Sequence, residues 1–135
     1  SILQLAAKNF LKYKKEISLF FFSSIYGSIA PKFEIYKDTS MTMPVEYACI
    51  KSSLNHLCRY VAKYVKDSRF RVNTISPGGI YDSQPKKFLS NYQKETHGTG
   101  MLSSSRIAKL ALFLLSEDSN YITGQDIIID DGFTL

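Results

Sequence analysis

Val45-Glu46-Tyr47-Ala48-Cys49-Ile50-Lys51 is the stretch on which the reading of this chain turns. It follows Pro44, and Tyr47 and Lys51 stand four residues apart in what reads as the first turns of a helix. That spacing puts a phenol and an ammonium on one helical face. The pattern runs on to residue 66, with Tyr47, Ile50, Leu54, Leu57, Val61, Tyr64 and Val65 recurring at steps of three and four. Taken alone, Tyr47 is an ordinary packing residue and Lys51 a solvated helix lysine. Their neighbours in sequence decide otherwise.

Working outward, residues 1–15 read as an amphipathic helix ending in a lysine-rich turn, which suits its negative C-terminal dipole. Ile17-Ser18-Leu19-Phe20-Phe21-Phe22 is a short run without alternation, expected to be a strand buried on both faces of a parallel sheet. It stops at Ser23-Ser24-Ile25-Tyr26-Gly27, and residues 28–44 read as a long loop of the kind that carries function. Beyond the central helix, Phe70–Ile75 is a second strand, broken by Ser76-Pro77-Gly78-Gly79. A short helix is expected at Lys86–Tyr92 and a longer one over residues 103–116, with Ser103, Ser104 and Ser105 as N-cap choices. Tyr121–Gly124 is a turn and Gln125–Asp130 a third strand. Helix and strand alternate, which predicts an α/β fold with a parallel sheet.

Composition bounds the function. Of 135 residues, 44% are hydrophobic and 21% charged, a globular balance. The formal charge of +5 is spread over scattered lysines, so no nucleic-acid module is expected. No apolar run approaches the ~20 residues that span a bilayer. Cys49 and Cys58 lie nine apart, on roughly opposite faces of one helix, so reduced thiols in a cytoplasm are expected. His56 and His97 lack partners at ligand spacing, and no metal site is expected. The chain opens on Ser1 inside a helical pattern, which predicts further residues ahead of it.

In order, Ser24-Ile25-Tyr26-Gly27, Tyr47-Ala48-Cys49-Ile50-Lys51, Arg71-Val72-Asn73-Thr74-Ile75-Ser76-Pro77-Gly78, Tyr121-Ile122-Thr123-Gly124-Gln125 and Asp130-Asp131-Gly132 resemble the C-terminal half of the short-chain dehydrogenase/reductase family. A lone Tyr-x-x-x-Lys is a weak signal, but five matches in register are a strong one. The resemblance implies that residues 1–135 are the catalytic half of a Rossmann-like doubly wound sheet, three strands alternating with helices. The N-terminal nucleotide-binding half, with its Gly-rich phosphate turn, is absent from the sequence. It also implies a hydroxyl–carbonyl interconversion that uses NAD or NADP.

By resemblance, Ser24, Tyr47 and Lys51 are the catalytic residues, Ser24 being preferred to Ser23 because it precedes Gly27 by three. Tyr47 passes the proton, and an ammonium one turn away favours the phenolate of a side chain that ordinarily titrates near ~10. Tyr47 and Lys51 also meet the nicotinamide ribose, and Pro77, Gly78, Gly79 and Ile80 meet the nicotinamide itself. The family's fourth catalytic group, an asparagine, falls just before Ser1, and Asn9 comes too late to replace it. Asn73, Asp130 and Asp131 read as structural.

Two departures stand out. Asp82 occupies a place where the family often has threonine, and the segment between Gly27 and Tyr47 is longer than usual, with residues 30–43 expected at the edge of the substrate pocket. That insert, with Gln84, resembles family members of surface-sugar and flagellin-glycan biosynthesis, which implies a sugar or nucleotide-sugar substrate. The competing substrate is a 3-oxoacyl thioester. An inactive remnant or association module is the non-enzymatic alternative. The helices of residues 1–15 and 45–66 are the expected homodimer or homotetramer interface.

Overall fold

The computed structural model describes residues 2–135, so the expected asparagine ahead of Ser1 lies outside the described residues. The order is α1 (Ile2–Tyr13), β1 (Ile17–Phe22), α2 (Val45–Val65), β2 (Phe70–Pro77), α3 (Lys86–Gln93), α4 (Ser104–Leu115) and β3 (Asp126–Ile129). The strands form one parallel sheet in the order β1-β2-β3, with Phe20 opposite Asn73 and Ile75 opposite Ile127. The 28–44 segment is not wholly irregular: a 3-10 turn forms at Phe33–Tyr36, and another precedes the segment at Ile25–Gly27.

Alternation along the strands builds three layers. One face of the sheet sends Ile17, Leu19, Phe21, Phe70 and Val72 against α1 and α2, where Leu3, Phe10, Cys58, Val61 and Val65 close the core. The other face sends Phe20, Ile75, Ile127 and Ile129 against Ile107, Ala111 and Leu114 of α4. Central β2 is buried at every position. Its polar side chains find partners inside, except that the Arg71 Nε has none. Asn73 donates to the Ile122 carbonyl at 2.9 Å and accepts from the Gln125 amide at 3.0 Å, which makes it structural as expected.

Two expectations are corrected. Strand β1 is not buried on both faces: it is an edge strand here, only partly covered, and Phe22 is exposed. The apolar stripe of α2 is not one core-facing face. Asn55, Cys58, Val61 and Val65 turn inward, whereas Ile50 and Tyr64 are exposed. The helix is apolar on two sides, and periodicity alone cannot say which side meets the sheet.

Candidate active site

The site lies where the C-terminal ends of β1 and β2 meet the first turns of α2. Pro44 precedes the helix, and its carbonyl accepts from the Tyr47 amide at 3.2 Å. One turn later Lys51 sends its Nζ to the Phe22 carbonyl at the end of β1, 2.9 Å away, and 5.4 Å from the Tyr47 ring centroid. The two consecutive serines take different roles. Ser23 Oγ donates to the Lys51 carbonyl at 3.0 Å, tying strand to helix. Ser24 Oγ accepts from the Tyr26 amide at 3.2 Å, capping the 3-10 turn, and lines a cavity of about 300 Å³.

That cavity brings together Ser24, Tyr47 and the loop residues Pro77, Gly78, Gly79 and Ile80. Lys51 is not in its lining and stands behind Tyr47. The Pro77–Ile80 loop is held from both sides. The Gly78 amide donates to the Ile129 carbonyl at 2.8 Å, and the Gly79 amide donates to the Tyr92 hydroxyl at 2.6 Å. Neither glycine has room for a side chain. A Cβ on Gly78 would stand 2.6 Å from that hydroxyl, and one on Gly79 would stand 2.7 Å from Met101. The loop therefore presents bare backbone to the cavity.

The opposite wall is the insert: Ile35, Tyr36, Met41, Thr42 and Met43 line the cavity, as expected of residues 30–43. It is latched to α3, where Asn91 Nδ2 donates to the Ile35 carbonyl at 3.2 Å, and to the turn after it, where Glu95 pairs with Lys32 at 3.0 Å. Burial pushes the Tyr92 phenol up to about 12, against the opposing hydrogen bond from Gly79. Burial, the largest cause, also raises Tyr26.

Tyr26, Tyr36, Phe88 and Tyr92 were not picked out from the sequence as site residues, although all line the cavity. The Phe88–Tyr92 spacing was a visible helix-face pair; nothing local marks Tyr26 or Tyr36. Asp82 is exposed and outside the lining, and Cys49 is exposed on α2. Asp130 and Asp131 act as turn anchors. The Asp130 carboxylate accepts from Gly132 and Thr134, and that of Asp131 from Thr99 and Gly100. Among the described residues no group of three or more His, Cys, Asp or Glu could hold a metal ion.

Known proteins are similar to this chain in sequence and fold. The family model described as enoyl-(acyl carrier protein) reductase matches residues 33–134. The post-translational flagellin modification protein A of Campylobacter coli is 42% identical over 134 residues, covering 97% of this chain and 52% of that protein. L-Rhamnose 1-dehydrogenase (NADP(+)) of Thermoplasma acidophilum is 29% identical over 141 residues, covering 99% of this chain and 51% of that protein. The crystal structure of a short-chain dehydrogenase from Leptospira borgpetersenii with bound NAD+ superposes with a TM-score of 0.90 at 34% identity, over 99% of this chain and 51% of that one. The chain belongs to the short-chain dehydrogenase/reductase family. Its fold is the C-terminal half of that family's Rossmann-like sheet, and it spans about half the length of the curated relatives it matches.

Proposed function

We propose that the protein carrying these residues is a nicotinamide-dependent oxidoreductase that interconverts a hydroxyl and a carbonyl. The observation that carries the reading is the meeting of Ser24, Tyr47 and the Pro77–Ile80 loop in one cavity. The residues fit a nicotinamide riboside. Bare glycine backbone lets a flat ring approach, and Tyr47 and Lys51 stand one turn apart to meet a ribose hydroxyl. Tyr47, Lys51, Pro77, Gly78, Gly79 and Ile80 would hold that end of NAD or NADP. When bound, the nicotinamide accepts or supplies the hydride.

The chain's own groups handle the proton and the oxygen. Ser24 Oγ has its proton free to donate to the substrate oxygen, because its bond to the Tyr26 amide uses only a lone pair. Tyr47 Oη gives its proton to that oxygen in reduction and takes it back in oxidation. The Lys51 ammonium, fixed by the Phe22 carbonyl, supports negative charge on the phenol oxygen.

Residues 1–135 act as one partial domain, in a cytoplasmic protein that pairs through the outer faces of α1 and α2. The substrate is a small molecule, a sugar or nucleotide sugar. The similarity to the flagellin modification protein and to a rhamnose dehydrogenase supports this class. Reduction of a 3-oxoacyl thioester is the second reading, favoured by the acyl-carrier description of the family model. Tyr47→Phe in the full-length protein tests the core of the proposal. Turnover is expected to fall at least ~10²-fold, the typical size of a lost general acid–base group. Undiminished turnover would refute the assignment. Saturable NADH or NADPH binding by the 135-residue chain alone would show that this half holds the dinucleotide unaided.

A further inference from the structure

The cavity holds recognition chemistry that the Ser24–Tyr47 reaction does not use. Tyr26, two residues after Ser24, is 6% exposed, and Tyr36 comes from the insert. Their hydroxyls are hydrogen-bonded at 3.2 Å, with Tyr36 donating. Each phenol is fixed by its ring: Tyr36 packs on Phe88 at 5.4 Å between centroids, and Tyr26 meets Phe133 edge-on at 6.4 Å. Both side chains line the cavity that Ser24 and Tyr47 line.

A bonded pair of phenols retains one O–H to give, on Tyr26, and lone pairs to receive, on Tyr36. A donor and an acceptor side by side complement an alcohol, which is itself both. The rest of the lining limits what carries that alcohol. Among the described residues no Lys, Arg, His, Asp or Glu lines the cavity. A carboxylate or phosphate placed there would lose hydration without a counter-charge. The rings of Tyr26, Tyr36, Tyr47 and Tyr92 combine flat apolar faces with hydroxyls at their edges, and Phe88 adds a wholly apolar ring. A saturated ring has apolar C–H faces and a hydroxylated rim, and it matches both.

We propose that Tyr26 and Tyr36 form a hydroxyl-reading pair: they hold a second hydroxyl of an uncharged, polyhydroxylated ring while the reacting hydroxyl or carbonyl stands at Ser24 and Tyr47. Tyr36 is then a specificity-determining residue carried on the insert. This deepens the functional reading above and rests on it. Any phosphate or nucleotide borne by the substrate lies outside the cavity. Burial keeps Tyr26 protonated, so its O–H remains available across the physiological range.

The test uses two probes on the full-length protein, cyclohexanol and cis-1,2-cyclohexanediol, with binding read by ligand-observed NMR titration. The diol is expected to bind about fivefold to tenfold tighter, the worth of one neutral hydrogen bond. Tyr36→Phe keeps the ring that packs on Phe88 and removes only the hydroxyl. It is expected to erase the diol preference and leave cyclohexanol binding unchanged. Should its melting temperature fall, Tyr26→Phe provides the same reading from the other partner. Equal affinities in the unmodified protein, absence of binding by both probes included, overturn the proposal. So does a diol preference that survives the loss of either hydroxyl. Binding is measured without turnover, so failure here is distinct from failure of the Tyr47→Phe test.

Discussion

Ser24 and Tyr47 reach one cavity from different segments of the chain, and what aligns them is a close approach at Gly27. A Cβ on Gly27 would stand 2.8 Å from Ser23 Oγ and 2.9 Å from the backbone carbonyl of Lys51. The turn after β1 therefore lies directly on the helix that carries Tyr47 and Lys51. Gly27→Ala must push that backbone away. It is expected to cost about 1–3 kcal/mol, as overpacking does, and to lower turnover by displacing Lys51. A urea titration and an activity assay check both; unchanged values in each would mean that the contact yields freely. Ser24→Ala removes only a donor to the substrate oxygen, so it is expected to lower kcat/KM by roughly 10²-fold with stability little changed. The candidacy of Ser24 and Tyr47 was legible in the sequence because each rests on a short local spacing, Ser24 to Gly27 and Tyr47 to Lys51. The phenols of Tyr36 and Tyr92 were not. The first reaches Tyr26 and the second reaches the Gly79 amide only after folding, and neither spacing repeats a local pattern.

Among the elements, β2 shows how a strand of mixed polarity can be wholly interior. The Arg71 guanidinium is buried and donates to the carbonyls of Leu114, Ser116 and Ser119 and to the Ser119 hydroxyl. It thereby satisfies acceptors at and beyond the C-terminal end of α4, where a positive charge also suits the helix dipole. Its nearest acid, Glu16, is 3.9 Å away and largely exposed, so the carbonyls hold this charge more than the ion pair does. Arg71→Met fills the space but removes a charged donor from those acceptors, each carbonyl keeping another partner, and is expected to destabilise by about 1.5–3 kcal/mol in chemical denaturation. A change below about 0.5 kcal/mol would mean that water replaces the guanidinium. On the opposite face, Asp126 of β3 accepts from Ser28, Asn55, Thr74 and Ser76, joining the turn after β1, α2 and β2 to β3. Strand positions were legible because Phe70–Ile75 and Gln125–Asp130 are short runs rich in Val, Ile, Phe and Thr, each placed beside turn-forming residues. The inward turn of Asn55 was not, since its partner lies 71 residues away.

For the whole molecule, pH and association follow from what is buried and what is left open. Burial raises the Cys58 thiol from 9.0 to about 12, against the lowering effect of Arg59, and raises the Tyr92 phenol from 10.0 to about 12. Both are neutral when protonated, and the folded state holds the proton more tightly than the unfolded chain. Their contribution is therefore complete below about pH 9 and is lost as pH climbs toward about 12. The urea midpoint is expected to fall as pH rises from about 9 toward about 12, and a flat profile there would contradict the burial of both groups. Association depends on the outer surfaces. Strand β1 leaves one edge of the sheet unpaired, and Ile2, Leu5, Ile50, Tyr60 and Tyr64 are exposed on α1 and α2. The Tyr60 and Tyr64 rings stack at 6.5 Å beside a groove shared with Ala7 and Leu11 of α1. An open strand edge invites unlimited pairing, whereas a helix face closes on a second copy of itself. The 135-residue chain alone is expected to self-associate in light scattering, and a monomer of 15.3 kDa at tens of micromolar would refute this. Tyr60→Glu with Tyr64→Glu separates the two surfaces: a monomeric double variant assigns association to the helix face, and persistent large species assign it to the edge of β1.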